Sequence, residues 1–188
     1  MARLRRKMAG PGRGSRDQTL ADYLPTWTPL LVFGGTVLLL LYAYSLVISV
    51  SWFDGFLTMH AVVTGQMLRM FGVNVDTTGT ILANDRVAFT IISECTAVAP
   101  IIIYGAGVLA FPAGWRAKAV GLSAGAAALV IVNFVRITSL FFIGMYYPSA
   151  LDVFHLIVWQ SVMIILAVGV LFVWTARVSD RVVGQPAS

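Results

Sequence analysis

The chain has 188 residues, of which 59% are hydrophobic and only 11% are charged, and its mean hydropathy is +0.86. Soluble globular domains carry about 25% charged residues, so this composition cannot cover a water-exposed surface. A bilayer is the expected solvent, and the sequence predicts an all-α polytopic membrane protein. The net charge of +5 does not point to nucleic acid, because six basic residues precede the first long apolar run, as is typical of cytoplasmic anchoring.

Four segments are apolar enough to cross a bilayer, which takes about 20 residues. They cover residues 28–50, 96–111, 119–145 and 156–176. The first is not a cleaved signal peptide, because its apolar run exceeds the roughly 7–15 residues of such a segment and no small-x-small cleavage site follows. The second is short and could be extended by its neighbours.

The connection between the first two spans, residues 51–95, contains two further elements. Apolar residues recur with rough helical spacing over residues 53–72, which predicts an amphipathic helix along the outer surface. The β-prone runs "TILA" and "RVAFTII" flank the turn-forming Asn84-Asp85, which predicts a small β-hairpin at the membrane surface. This hairpin leads directly into Glu94 and Cys95.

The distribution of lysine and arginine predicts the orientation. Basic residues precede the first span, occur as Arg116 and Lys118 between spans two and three, and follow span four. Both termini are therefore expected in the cytoplasm. The expected organisation is a basic amino-terminal tail over residues 1–27, a transmembrane domain over 28–176 with its exterior segment at 51–95, and a carboxy-terminal tail over 177–188.

Residues from three spans are predicted to converge at one depth. Rising about 1.5 Å per residue from its cytoplasmic end, span three carries Arg136 roughly 25 Å into a core about 30 Å thick, with Asn133 on the same face. Cys95 and His155 stand at the outer mouths of spans two and four. Taken one at a time, Cys95 could be a small apolar filler, and Arg136 and His155 could be polar groups at the membrane interface. Their convergence favours a functional site.

The residue types at that depth suit acyl transfer. A thiol attacks as the thiolate, His155 could take its proton and later protonate a leaving amine, and Arg136 could stabilise the thiolate or an oxyanion. Metal binding is not favoured, because one cysteine and two histidines in separate segments give no recognisable ligand spacing. Disulfide exchange lacks a second cysteine. No cofactor and no metal are expected.

Three sequence blocks carry a resemblance to a known family. "ECTAVAP" with Cys95, "NFVRI" with Asn133 and Arg136, and "FHLIVWQ" with His155 resemble, in that order, the signature blocks of the exosortase/archaeosortase family. The resemblance covers residues 73–181 well and the amino-terminal third loosely. Larger members have more spans, and many relatives have Ser-Gly or Thr-Gly after the cysteine where this chain has Thr-Ala. These departures suggest a compact subtype such as exosortase H.

The resemblance implies a membrane cysteine transpeptidase, functionally analogous to sortases, at the outer face of a bacterial inner membrane. Its substrates would be exported proteins whose carboxy-terminal signal comprises a short motif, a membrane helix and a basic tail. Cys95 would be the nucleophile, His155 the general base and acid, and Arg136 the group that stabilises negative charge. Asn133 could support the Arg136 side chain. Glu94 could orient His155 or Arg136, meet the substrate, or be a solvated flank.

The sequence is also compatible with two other functions. A small four-span protein could be a non-enzymatic scaffold or transporter subunit, in which Arg136 pairs with an acidic residue of a partner. Plain intramembrane proteolysis, with water as the acceptor, would use the same three residues. His60, on the predicted surface helix, is expected to be structural or solvated.

Overall fold

The computed structural model describes residues 27–183, and this part of the chain is mostly helical. Its helices and strands follow in this order: α1 Thr28–Val47, α2 Trp52–Met70, β1 Asp76–Thr78, β2 Ile81–Ala83, β3 Ala88–Thr90, α3 Val98–Ala110, α4 Trp115–Tyr146, α5 Leu151–Val153 and α6 Trp159–Val183. Short 3₁₀ turns occupy Ser93–Cys95 and Pro148–Ala150, and a π-helical turn occupies Phe154–Val158. Most of the predicted amino-terminal tail, and residues 184–188, lie outside the described residues.

Three helical stretches of the described chain are long and apolar enough to cross a membrane. They are Leu30–Val47, Trp115–Tyr146 and Pro148–Ser179, the last of which runs through the π turn into α6. The predicted second span is also an apolar helix, α3, but its 13 residues reach only about 20 Å. α3 ends early because Pro112 follows Phe111 and favours extended backbone there (φ −73°, ψ 136°). The four predicted segments are thus three candidate spans and one shorter helix.

α3 occupies the centre of the bundle and packs against α1, α4 and α6. Glycines allow this close approach, since a Cβ added at Gly125 would collide with the Tyr104 ring and one at Gly121 with Trp174. The Tyr104 hydroxyl donates to the Gly121 carbonyl at 2.7 Å. We call the core at this level the bundle cluster; its buried members are Tyr104, Val108, Leu129 and Ala167.

A second core surrounds the last third of α4. Here α2 packs alongside α4. The His60 ring stacks on the Phe134 ring with centroids 5.3 Å apart, and the Phe71 and Phe142 ring centroids are 6.4 Å apart. The helix predicted over residues 53–72 is confirmed as α2, Trp52–Met70. Its apolar face packs on protein. We call this core the cap cluster; it comprises Phe53, Leu57, Ala61, Leu68, Val75, Leu82, Ile91, Cys95, Ile137 and Phe141.

His60 is a structural residue of this cap. Its side chain is only 4% exposed, and its Nδ1 lies 3.0 Å from the Phe56 carbonyl oxygen. Of the two expectations for this residue, the structural one is confirmed and the solvated one is wrong, because Phe134 of α4 covers the ring.

The three strands form one antiparallel sheet in the order β1-β2-β3. The predicted hairpin is β2–β3, with Ile81 opposite Thr90 and Ala83 opposite Ala88. Asn84 shapes its turn, because the Asn84 Oδ1 accepts hydrogen bonds from the two backbone N–H groups that follow Asp85, at 3.0 and 2.9 Å.

The third strand, β1, makes this element larger than the predicted hairpin. β1 consists of three polar residues, which lack the alternation of apolar and polar residues that indicates a strand. Gly79 forms the turn into β2 with a φ of 58°, a backbone conformation that glycine adopts without strain.

Candidate functional site

Cys95 ends the 3₁₀ turn between β3 and α3. Side chains from two other helices hold this non-helical backbone. The Tyr44 hydroxyl of α1 donates to the Ser93 carbonyl at 3.3 Å, as does Thr96 Oγ1 at 2.7 Å, and the Asn133 amide of α4 donates to the Cys95 carbonyl at 2.8 Å. Backbone carbonyls outside regular helices need hydrogen-bond donors when they lie inside a membrane protein. These side chains supply the donors and so fix the conformation of the turn.

Asn133 acts differently from the predicted support of Arg136. The Nδ2 of Asn133 bonds the Cys95 carbonyl, and its buried Oδ1 has no hydrogen-bond partner among residues 27–183. The Asn133 Oδ1 could accept a hydrogen bond from the guanidinium of Arg136, but no such bond forms, because this oxygen and the Arg136 Nε are both without a partner in the described chain. Asn133 therefore positions the turn that carries the thiol.

Arg136 and His155 line one pocket of about 320 Å³. Arg136 is 2% exposed and its buried Nε has no hydrogen-bond partner in the described chain. The other lining residues are Tyr44, Ile92, Ser93, Glu94, Thr96, Ala99, Pro100, Leu156 and Gln160. The pocket thus joins α1, the turn before α3, α4 and the start of the last helical stretch.

The thiol itself lies behind the wall of this pocket. Cys95 is 2% exposed and packs in the cap cluster, whereas its chain neighbours Glu94 and Thr96 line the pocket. The structure therefore brings together Arg136, His155 and Glu94 at the pocket and Cys95 directly beside it.

His155 sits in the π-helical turn Phe154–Val158. A π turn inserts an extra residue into a helix and redirects its side chains, and such turns are frequent at functional sites. The Nε2 of His155 is buried, with no hydrogen-bond partner in the described part of the chain. This ring nitrogen is therefore not held by any hydrogen bond among the described residues.

The ionisable groups influence one another. Burial raises the pKa of the Cys95 thiol, an effect that the Ile92 backbone hydrogen bond and the Arg136 charge oppose only in part. The hydrogen bond from the Ser93 hydroxyl, at 2.7 Å, is the main cause that lowers the pKa of Glu94, and His155 contributes an electrostatic interaction. At neutral pH Cys95 is therefore a protonated thiol, and Glu94 is an anion near the imidazole.

Helix geometry shows that Arg136 and His155 lie at one level. The Trp174 Nε1 donates to the Ala117 carbonyl at 3.3 Å, which ties the two long helices together at their other end. From that tie, Arg136 is 19 residues along α4 and His155 is 19 residues along the last helical stretch. Both distances are about 28 Å, close to the thickness of a hydrocarbon core. Residues 137–146 of α4 extend beyond this level and carry the cap.

Tyr44 and Gln160 line the pocket without having been predicted. Both are isolated polar groups in or beside apolar runs, a signal that is visible in the sequence. That signal does not discriminate, however, because Tyr42 has the same character and is 64% exposed. Only the packing of α1 against α3 selects Tyr44.

Comparisons of this chain with family models, curated proteins and solved structures find no match. Within residues 27–183, no three His, Cys, Asp or Glu side chains are grouped so that they could hold a metal ion. The pocket and the sequence blocks that form it are therefore the features that point to a function.

Proposed function

We propose that the protein is a membrane cysteine transpeptidase or peptidase of the exosortase type. Its substrates are exported proteins with a carboxy-terminal motif, a membrane helix and a basic tail, and it acts at the outer face of the bacterial inner membrane. The observation that carries this proposal is the pocket in which Arg136 and His155 meet the turn that holds Cys95. The substrate class rests on the resemblance of the three sequence blocks to that family.

The level of the pocket suits a substrate that is anchored by its own helix. Arg136 and His155 lie about one hydrocarbon thickness from the Ala117–Trp174 tie, so a helix docked beside the bundle would deliver its flanking motif to the pocket. Arg116 and Lys118 lie near that tie, and the positive-inside rule assigns them to the cytoplasm. The pocket then faces the exterior.

The covalent step replaces the scissile C–N bond of the substrate with a C–S bond to Cys95. His155 accepts the thiol proton, the Cys95 sulfur bonds to the scissile carbonyl carbon, and Arg136 stabilises the oxyanion. The C–N bond then breaks as His155 returns the proton to the leaving amine, so the membrane tail departs with a free amino group. An amine or water attacks the thioester, which yields an amide or a carboxylic acid and restores the thiol.

In this proposal the reaction requires a bound substrate. Cys95 lies behind the pocket wall, so the wall has to move before the sulfur can attack. Cys95 is also protonated at neutral pH, so His155 has to accept its proton. Glu94 is placed to favour the imidazolium that forms when His155 takes the thiol proton. A shielded thiol also resists oxidation, which suits an exterior compartment.

The test is the fate of tailed proteins in cells. Membrane proteins with a carboxy-terminal helix and basic tail would be quantified by mass spectrometry in cells that express the wild type or Cys95→Ala at equal levels. We expect the tails to be removed by the wild type and retained with Cys95→Ala, whose melting temperature stays close to that of the wild type. Equal removal of tails by both proteins would refute the proposal.

The same samples separate the remaining alternatives. A free acid at the new carboxy terminus of the product indicates hydrolysis, and an added group indicates transfer to an amine. A non-enzymatic scaffold predicts instead that Cys95→Ala is silent and that Arg136→Ala disrupts a complex.

A further inference from the structure

A second pocket, of about 500 Å³, opens between α4 and α6 at the end of the bundle remote from Cys95. Its floor consists of small residues of α4, among them Gly121 and Gly125, and its rim includes Val120, which is 70% exposed, and Val173, which is 48% exposed. The Tyr104 hydroxyl is bonded to the Gly121 carbonyl, so the ring presents apolar surface to the pocket. Apart from two arginines the described lining of this pocket is apolar, and we call this apolar part the groove.

Two cations from different helices stand over that groove. Arg116 lies in the first turn of α4 and Arg177 lies near the end of α6, and both are exposed. None of the lining residues that the structure describes is acidic. No hydrogen bond or ion pair within the described residues engages either guanidinium. Two guanidinium groups that share a pocket are complementary to a phosphate, which accepts paired N–H donors from arginine.

The aromatic residues at this end are typical of a bilayer interface. Trp115 is 72% exposed beside Arg116, and Trp174 packs edge-on against Phe111 with ring centroids 5.6 Å apart. Tryptophan is enriched where hydrocarbon meets headgroups. A free anion would use only the cations, whereas a ligand with a charged head above an apolar chain would use the whole pocket.

We infer that this pocket binds an anionic phospholipid, with its phosphate between Arg116 and Arg177 and an acyl chain in the groove between α4 and α6. Basic pockets between membrane helices hold anionic headgroups by this combination of charge and apolar contact. The site is independent of the proposed peptidase activity, because it shares no lining residue with the pocket of Arg136 and His155.

The test is retention of lipid by the purified full-length protein, measured by native mass spectrometry. The protein is equilibrated with equal amounts of phosphatidylglycerol and phosphatidylcholine that carry the same acyl chains. We expect a preference for phosphatidylglycerol that falls about fivefold in Arg116→Gln, about fivefold in Arg177→Gln and about thirtyfold in the double variant. Val120→Trp keeps both charges but fills the groove, and it should also lower retention.

Lys118→Gln is the matched control. It removes the same charge from the same helix, but the Lys118 ammonium bonds the Leu109 carbonyl at 2.7 Å and does not line the pocket. The proposal is overturned if the wild type shows no preference, if the double variant keeps it, or if Lys118→Gln loses as much. Displacement of phosphatidylglycerol by millimolar inorganic phosphate would likewise overturn it, since the site would then recognise a free anion.

Discussion

Two regions of α4 are built in opposite ways. At Gly125 the helix has no side chain, and the Tyr104 ring packs directly on its backbone. At Asn133 and Arg136 it carries polar side chains that are 1% and 2% exposed and that keep atoms without a hydrogen-bond partner among residues 27–183. A buried polar group without a partner costs free energy, whereas close packing lowers it. The glycine region therefore holds the helices together, and the polar region forms the candidate functional site.

This comparison predicts that the two regions respond differently to mutation. Changes in the bundle cluster should alter stability and leave the activity of each folded molecule unchanged. Changes at Arg136 and His155 should lower the activity of each folded molecule and leave stability nearly unchanged.

The largest expected effect is the loss of activity in His155→Gln. Without the imidazole no group takes the thiol proton, and we expect the processing rate to fall about 10²- to 10⁴-fold. The matched control is His60→Gln in the cap, which should lower the melting temperature but leave the rate per folded molecule unchanged. The assignment of His155 fails if the two variants process a tailed substrate equally well.

The next effect is a joint change in rate and in thiol reactivity in Arg136→Gln. Loss of oxyanion stabilisation should lower the processing rate about 10²- to 10³-fold. Burial raises the pKa of Cys95, and the Arg136 charge opposes that rise. Alkylation of Cys95 in the wild type should therefore be slow at pH 7. Its rate should increase with pH through a midpoint above the free-thiol pKa of about 8.5.

Removal of the Arg136 charge should move that midpoint to still higher pH. The rate of iodoacetamide reaction as a function of pH measures it, and Arg86→Gln, an exposed arginine over the Tyr146 ring, serves as the control. A midpoint that stays in place or moves to lower pH would show that Arg136 does not act on the thiol.

Asn133→Ala should have an intermediate effect on both stability and activity. It removes the hydrogen bond to the Cys95 carbonyl, and a buried acceptor left unpaired costs about 1–3 kcal/mol. We also expect the rate to fall, because the turn that carries the thiol loses its tie to α4. Ser123→Ala, at an exposed position of the same helix, should change neither quantity, as thermal unfolding and the processing assay would show.

The smallest effect on activity is expected in the bundle. Gly125→Ala places a methyl group against the Tyr104 ring and should destabilise the protein by about 1–3 kcal/mol with no change in rate per folded molecule. Gly169→Ala is the control, because a Cβ there meets nothing within 4 Å. If both substitutions lower the melting temperature equally, close packing at Gly125 is not what stabilises the bundle.

Helix geometry explains how much of the site could be predicted. The rise per residue is constant, so the depth of Arg136 in its span and the level of His155 follow from counting residues. The partner of Asn133 and the role of Tyr44 depend on how α1 and α4 pack around the 3₁₀ turn Ser93–Cys95. The spacing of apolar residues along the sequence does not predict that packing. β1 was missed for a similar reason, since three polar residues become a strand only by pairing with β2.

The most direct test of the central claim is detection of the acyl-enzyme. Membranes that contain the protein and a tailed substrate would be quenched in acid, and the protein digested and analysed by mass spectrometry. We predict a substrate-derived acyl group on the peptide that contains Cys95, which hydroxylamine removes and which is missing in Cys95→Ala. Cleavage of the tail at an equal rate by Cys95→Ala, or an acyl group on another residue, would contradict the assignment of Cys95 as the nucleophile.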